Sequence, residues 1–203
     1  MPEANPPVLV LAADGTSVPL EQPNTPTVYA DPAAWSVVQA LRHTLAAPLA
    51  GPPVPPRAVG VLVCSTPTTA RTMDAVAAQA AGGRVRPRHF AAAGPATLAA
   101  LPALVLGFRG PTLTLTCDDD ATWGAARTIA RAWLAARLCE RVLLVRHTSP
   151  SPDRHHVTCE PVGPGAERPC PVNPAMPRKA EPEPWSSGTE LPTCPPPSTP
   201  RTS

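Results

Sequence analysis

The sequence predicts an α/β layered domain followed by a disordered, proline-rich tail. Apolar segments of strand length alternate along the chain with segments of helical periodicity, a pattern typical of layered α/β domains. From Pro164 onward the chain is rich in proline and poor in large apolar side chains, so it cannot bury enough surface to offset its ordering entropy. We therefore expect a domain at residues 1–163 and a tail at residues 164–203.

Composition and charge exclude several classes of function. The 203 residues carry a formal net charge of +2, which is too small to favour nucleic-acid binding. No apolar run reaches the roughly 18 residues that a membrane-spanning helix needs. The first residues lack the basic and apolar regions of a signal peptide. These features predict a cytoplasmic protein that binds neither nucleic acid nor a membrane.

The first half of the domain is predicted to contain two strands and two helices. Val8–Ala13 is a short apolar run that ends at a turn, and Asp31 is placed to cap a helix that extends to about Ala46. The apolar face predicted for this helix comprises Trp35, Val38, Leu41 and Leu45. Ala58–Cys64 is a continuous apolar run, which predicts a strand buried on both faces, and a helix to about Ala81 follows it.

The second half is predicted to contain two further helices and three strands. The segment before Gly107 favours a helix that contains Pro102, and Thr112–Thr116 alternates strictly between threonine and leucine, as a half-buried strand does. A long helix is predicted from Ala121 to Leu138. The remaining predicted strands are Arg141–Arg146 and a short final one at His155–Glu160.

Two clusters of polar residues have the composition of metal ligands, and both have a simpler interpretation. Asp118, Asp119 and Asp120 precede the long helix, where capping and interaction with the helix dipole are favoured over Mg²⁺ binding or the lining of an acyl pocket. His155, His156 and Cys159 are favoured as a half-exposed strand end over a metal site. We predict neither a metal nor a cofactor.

The stretch from Gly107 to Val145 carries a resemblance to a known family. It contains Gly-Phe-Arg-Gly-Pro, the strand Thr-Leu-Thr-Leu-Thr, the turn Cys-Asp-Asp-Asp, a helix and the strand Arg-Val-Leu-Leu-Val. This order resembles the N-terminal half of β-ketoacyl synthases, in the thiolase-like superfamily, where a Gly-Leu-Arg-Gly-Pro turn leads through a strand to a nucleophile elbow. Phe90–Leu101 and Val59–Ser65 are similar to the helix and strand that precede this turn, so the resemblance covers roughly residues 55–146.

The resemblance implies a thiolase-like half domain with α/β/α layers and a role in fatty-acid or polyketide-type biosynthesis. In thiolase-like dimers the strand before the elbow pairs with its symmetry mate, which implies a dimer strand carrying Thr112, Thr114 and Thr116. The implied partners are a second copy of the chain, a full-length ketosynthase or an acyl carrier protein. The long helix is predicted to carry Arg127, Arg131 and Arg137. These arginines would complement the charge of an acidic carrier protein.

The chain departs from the family at the position of the nucleophile. Counted from Gly110 and Pro111, the catalytic cysteine of the family aligns with Asp119, and Cys117 falls two residues earlier. A carboxylate at a helix N-terminus is stabilised as an anion and is a poor condensing nucleophile. We also expect the chain to lack the family's C-terminal histidines and lysine, and with them a complete ketosynthase site.

Three functions are therefore predicted as alternatives. The first is a non-condensing β-ketoacyl synthase-like pseudoenzyme that acts as a partner subunit. The second is a small active acyltransferase that uses Cys117 or Asp119 with a base supplied by another chain. The third is a non-enzymatic α/β interaction module. Thiol reactivity separates the first two, and the position of the Thr112–Thr116 strand at a dimer edge separates the third from both.

Overall fold

The computed structural model describes residues 9–11, 17–25, 29–46, 53–151 and 153–163. All of them lie within the compact unit formed by residues 1–170. The predicted tail at residues 164–203 and its boundary with the domain lie outside the described residues.

Strands and helices alternate along the described residues, which confirms the predicted mixed α/β class. The strands are β1 (Leu9–Leu11), β2 (Ser17–Pro19), β3 (Val59–Ser65), β4 (Thr112–Leu115), β5 (Arg141–Ser151) and β6 (Arg154–Val162). The helices are α1 (Pro32–Ala46), α2 (Ala70–Ala81), α3 (Pro87–Ala92), α4 (Thr97–Leu106) and α5 (Asp120–Ala135), with a 3-10 turn at Pro56–Ala58.

The strands form one mixed sheet in the order β2-β1-β6-β5-β3-β4. β3 lies between β4 and β5 and is parallel to both. β5 and β6 are antiparallel, whereas β1 runs parallel to β6 and antiparallel to β2. Because β3, β4 and β5 are parallel, their carboxyl ends meet at one edge of the sheet, where open α/β sheets bind their ligands.

Helices cover both faces of the sheet centre. On one face Val61 packs with Val37 of α1 and Leu98 of α4. On the other face Leu62 packs with Ala126 of α5. Every residue of β3 is consequently buried, which confirms the strand predicted from the uninterrupted apolar run.

Helix α1 begins as its capping sequence predicts. The Oδ1 atom of Asp31 accepts the backbone N–H two residues further on, at 2.8 Å, and the helix starts at the following proline. Trp35, Val38 and Leu41 are buried as predicted. Leu45 is 37% exposed, contrary to the prediction, because the buried part of α1 ends at Leu41.

The turn between α4 and β4 requires glycine at two positions. Gly107 ends α4 in the left-handed region, at φ 74°. The Gly110 N–H donates to the Val59 carbonyl at 3.0 Å, and a Cβ at Gly110 would lie 2.6 Å from that oxygen. The Val61 N–H donates in turn to the Pro111 carbonyl at 3.0 Å. The Gly-Phe-Arg-Gly-Pro segment thus sets β4 in register beside β3.

β4 is an edge strand of the sheet. It pairs with β3, and no other described strand pairs with it. It ends at Leu115, so Thr116 lies just outside the strand that was predicted to include it. Leu113 and Leu115 contribute to the core under α5, as the strict alternation predicts.

The last helix and the last two strands also differ from their predicted bounds. α5 ends at Ala135, three residues earlier than predicted, and Arg137 adopts a positive φ of 55° just beyond it. β5 and β6 are longer than predicted and form an antiparallel hairpin. None of the described helices is long and apolar enough to cross a membrane.

Candidate functional site

The carboxyl ends of β3, β4 and β5 bring polar side chains from distant parts of the sequence together. Ser65 ends β3, and Cys117 follows shortly after the end of β4. Arg146 and His147 lie in β5 and pair in register with the last two residues of β3. These residues form two clusters, one exposed at the start of α5 and one buried between the strands.

The exposed cluster is the strand-to-helix elbow, which we define as residues 117–120. Asp119 is the N-cap of α5, and its Oδ1 accepts the backbone N–H of Thr122 at 2.7 Å. The Cys117 Sγ donates to Asp119 Oδ2 at 3.3 Å. Hydrogen bonds from Thr122, with a smaller contribution from the Cys117 thiol, hold the pKa of Asp119 below its ordinary value. The capping role predicted for this cluster is therefore confirmed at Asp119.

The other two aspartates of the elbow have different roles. Asp118 Oδ1 accepts a hydrogen bond from the Thr66 hydroxyl at 2.5 Å, and its backbone carbonyl accepts one from Arg146. Asp120 is fully exposed, with an Oδ1 that lies 3.8 Å from Arg146 Nη2. Among the described residues no three or more histidines, cysteines or acidic residues are grouped to hold a metal.

The buried cluster is a chain of hydrogen bonds across three strands, formed by Ser65, His147 and His155. Ser65 Oγ lies 2.8 Å from His147 Nδ1, and His147 Nε2 lies 2.9 Å from His155 Nδ1. Ser65 Oγ also accepts the backbone N–H of Thr68 at 3.0 Å. Ser65 and His147 are completely buried and His155 is 6% exposed. We call these three residues the Ser–His–His chain.

The hydrogen bonds of the Ser–His–His chain depend on the tautomers of its two histidines. In one arrangement that satisfies both contacts, the Ser65 hydroxyl donates to His147 Nδ1 and His147 Nε2 donates to His155 Nδ1. This arrangement places the remaining N–H on His155 Nε2, a buried atom without a hydrogen-bond partner among the described residues. The Ser–His–His chain is thus hydrogen-bonded at Ser65, whereas the Nε2 atom of His155 has no hydrogen-bond partner among the described residues.

Burial determines the charge state of the Ser–His–His chain. Removal from water lowers the pKa of His147 to about 3, and the positive forms of His155 and His156 act in the same direction. Burial also lowers the pKa of His155, although the negative charge of Asp31 opposes this shift. Both rings are therefore neutral near pH 7.

Asp31 connects this region to two helices. The residue is 2% exposed, and besides capping α1 it accepts the backbone N–H of Thr72 in α2 at 2.8 Å through Oδ2. Thr72 Oγ1 is itself buried without a partner among the described residues. Asp31 is predicted from the sequence only as a helix cap, and its second bond depends on the tertiary packing of α2.

The Ser–His–His chain is absent from the sequence-based predictions. His155 was predicted at a half-exposed strand end, and that prediction is wrong because the hairpin of β5 and β6 buries it. Ser65 and His147 are separated by 82 residues and become neighbours through the parallel register of β3 and β5. The available signal is that each follows an apolar strand core, Ser65 directly and His147 after Arg146.

The basic face predicted on α5 is only partly free. Arg127 Nη2 forms an ion pair with Glu160 of β6 at 2.7 Å, and its guanidinium carbon lies 5.7 Å from the centre of the Trp123 ring. Arg131 and Arg137 are exposed. Arg127 therefore stabilises the contact between α5 and the sheet, whereas the other two arginines of the predicted face are exposed.

No protein-family model matches the sequence, and no curated protein matches it.

Proposed function

We propose that the chain is a β-ketoacyl synthase-like protein of fatty-acid or polyketide-type biosynthesis that does not condense acyl groups and acts as a partner subunit. The observation that carries this proposal is the state of Asp119, which stands where the family's nucleophile is expected. Its carboxylate caps α5 and accepts a hydrogen bond from the Cys117 thiol.

The chemistry of the elbow favours a pseudoenzyme. A condensing nucleophile must hold an acyl group as a thioester, which requires an activated thiol. Asp119 is held anionic by hydrogen bonds and offers no sulfur. Cys117 is exposed, but the hydrogen-bond partner of its thiol is a carboxylate of the same turn and not an imidazole.

The unpaired edge of β4 supports a role as a subunit. An edge strand exposes backbone groups that can pair with another chain. Thr112 is exposed on this strand, whereas Thr114 is half-buried and its Oγ1 is a buried atom without a partner among the described residues. Helix α4 packs against β4 and leaves Leu104 70% exposed, so an apolar side chain on the helix beside this strand is accessible to a partner.

The partner that this edge suits is a ketosynthase-type chain, either a second copy or a full-length synthase. A threonine-rich strand suits pairing with a like strand across a two-fold axis, because β-branched side chains pack well on a pleated surface. Docking of an acyl carrier protein at Arg131 and Arg137 is compatible with this assembly, since both side chains are exposed.

Light scattering after size-exclusion chromatography tests the proposal, on the protein alone and mixed with a full-length ketosynthase. We expect a dimer in one of the two samples. Thr114→Arg combined with Leu104→Glu should dissociate it by at least about tenfold, because charges at an edge oppose strand pairing. The matched control is Leu138→Glu, at another exposed leucine (58%), and it should leave the dimer intact.

The outcomes distinguish the proposal from its alternatives. A monomer in both samples, or equal dissociation by the Leu138 variant, would contradict a subunit role for β4. A monomer would favour the independent α/β interaction module. The small acyltransferase is favoured by one observation, the exposed thiol of Cys117 at the carboxyl end of the parallel strands, and a labelling experiment described below tests it.

A further inference from the structure

A second polar region lies away from the elbow, in the connection between α2 and α3. Arg84 and Arg86 fall there and Arg88 lies in the first turn of α3, and all three residues are exposed. Between Asp74 and Asp118 the sequence contains no acidic residue. The described ion pairs do not include any of these three arginines.

Gln79 fixes the conformation of this connection. Its backbone carbonyl accepts the Arg84 N–H at 3.2 Å, and its side-chain Oε1 accepts the Arg86 N–H at 3.0 Å. Its Nε2 lies 2.7 Å from Nδ1 of His89. The backbone carbonyl of Gln79 thus holds Arg84, and its half-buried side-chain amide holds Arg86 and the first turn of α3. The segment is therefore organised before any ligand arrives.

Gln79, Arg84 and Arg86 line an open cleft of about 460 Å³. This volume lies within the range of roughly 300–1,000 Å³ that is usual for small-molecule sites. Arg84, Arg86 and Arg88 make the charge of this region positive. Loss of contact with water, together with the charges of Arg88 and Arg86, lowers the pKa of the nearby His89 ring.

From this geometry we propose that the cleft formed by Gln79, Arg84 and Arg86 binds a phosphate group, free or esterified to a small molecule. Guanidinium groups donate paired hydrogen bonds to phosphate oxygens. The guanidinium groups of Arg84 and Arg86 form none of the described ion pairs with carboxylates, so both suit a phosphate group that carries two negative charges. Arg88 is engaged with the Tyr29 ring, 5.9 Å from its centre, and contributes to the field. The site is independent of the elbow and of the proposed subunit role.

Calorimetric titration and thermal unfolding of the whole chain test this site. The probes are orthophosphate and glycerol 3-phosphate, with sodium chloride at matched ionic strength as the control. We expect saturable binding of the phosphates and a rise in melting temperature that chloride does not reproduce. Tighter binding of glycerol 3-phosphate would identify an esterified ligand, and equal or weaker binding would identify free phosphate.

Matched variants distinguish a specific phosphate-binding site from a nonspecific effect of positive charge. Arg84→Gln with Arg86→Gln should weaken phosphate binding by at least about tenfold. Arg42→Gln with Arg57→Gln removes the same number of exposed charges elsewhere and should leave the affinity unchanged. Gln79→Ala keeps every charge and should also weaken binding, because it releases the Arg86 backbone and the His89 ring.

Three results would contradict the proposal that this cleft binds phosphate. They are the absence of saturable phosphate binding, a matching effect of chloride, and an equal loss of affinity in the control pair. The melting temperature of each variant without ligand shows whether it is folded, so a failed fold is not mistaken for a lost site.

Discussion

Two polar clusters lie at the carboxyl ends of the same parallel strands, and they differ in solvent exposure and in role. The elbow holds Cys117 and Asp119 in contact with solvent, and its hydrogen bonds are local to one turn. The Ser–His–His chain is buried and links three strands. Solvent access decides which one can react with a substrate, and burial decides which one has the larger effect on stability.

Ser65 is too deeply buried to act as a nucleophile. A serine beside a histidine that is oriented by a third group matches the arrangement of hydrolytic enzymes. Ser65 and His147 have no exposed surface, however, so a substrate cannot reach either atom in this conformation. The Ser–His–His chain is therefore a structural connection between β3, β5 and β6.

Removal of His147 should have the largest effect. His147→Ala leaves Ser65 and His155 without their partner and opens a cavity in a fully buried position. We expect the free energy of unfolding to fall by about 3 kcal/mol. Urea unfolding measures it, with His43→Ala at an exposed site of α1 as the control, expected to cost about 0.5 kcal/mol or less. Similar losses in both variants would refute the structural role.

Acidification should affect the two clusters in different pH ranges. The unfolded chain protonates His147 near pH 6.5, whereas the folded protein does so at about pH 3. The unfolded state therefore binds more protons between these values, and stability falls as the pH drops from 6.5 towards 3. His147 alone contributes up to about 1.4 kcal/mol per pH unit.

The elbow responds only at lower pH. The pKa of Asp119 is lowered from 3.8, so its contribution is present above that value and is lost as the pH falls below it. Urea unfolding at several pH values should consequently show a loss between pH 6.5 and 4 that His147→Gln reduces and Asp119→Asn does not. A flat profile in that range would contradict the neutral, buried state of the histidine rings.

The sequence predicts the elbow far better than the buried chain. Capping by Asp119 and Asp31 is read from local order, because a helix N-terminus needs acceptors for its free N–H groups within a few residues. The contact of Ser65 with His147 depends on the register of strands far apart in sequence. No local pattern encodes that register, and the Ser-Pro-rich segment before His155 resembles a loop more than the end of a hairpin.

Loss of the elbow cap should have a smaller effect than loss of His147. Asp119→Ala removes the acceptor of the Thr122 N–H and should lower the melting temperature by about 4 °C. Asp119→Ser restores a capping oxygen and should recover most of this loss. Asp120→Ala changes a fully exposed side chain and serves as the control. If Asp119→Ser is no better than Asp119→Ala, the side-chain cap is not what stabilises the start of α5.

The smallest effect is expected in thiol reactivity, where the pseudoenzyme and the acyltransferase differ most. Burial raises the pKa of Cys64 to about 11 and also raises that of Cys139, so both should label slowly with iodoacetamide. Cys117 is exposed beside a carboxylate and should label no faster than free cysteine. Peptide mass spectrometry follows each site separately, with Cys117→Ser as the reference.

The labelling rate of Cys117 decides between the two functions because activation requires a stabilised thiolate. A rate at least about tenfold above that of free cysteine, abolished in Cys117→Ser, would mean that another group overcomes the influence of Asp119. The elbow would then be a reactive site, and the acyltransferase alternative would replace the proposed pseudoenzyme. An ordinary rate would leave Asp119 as a cap and direct the search for function to the β4 edge.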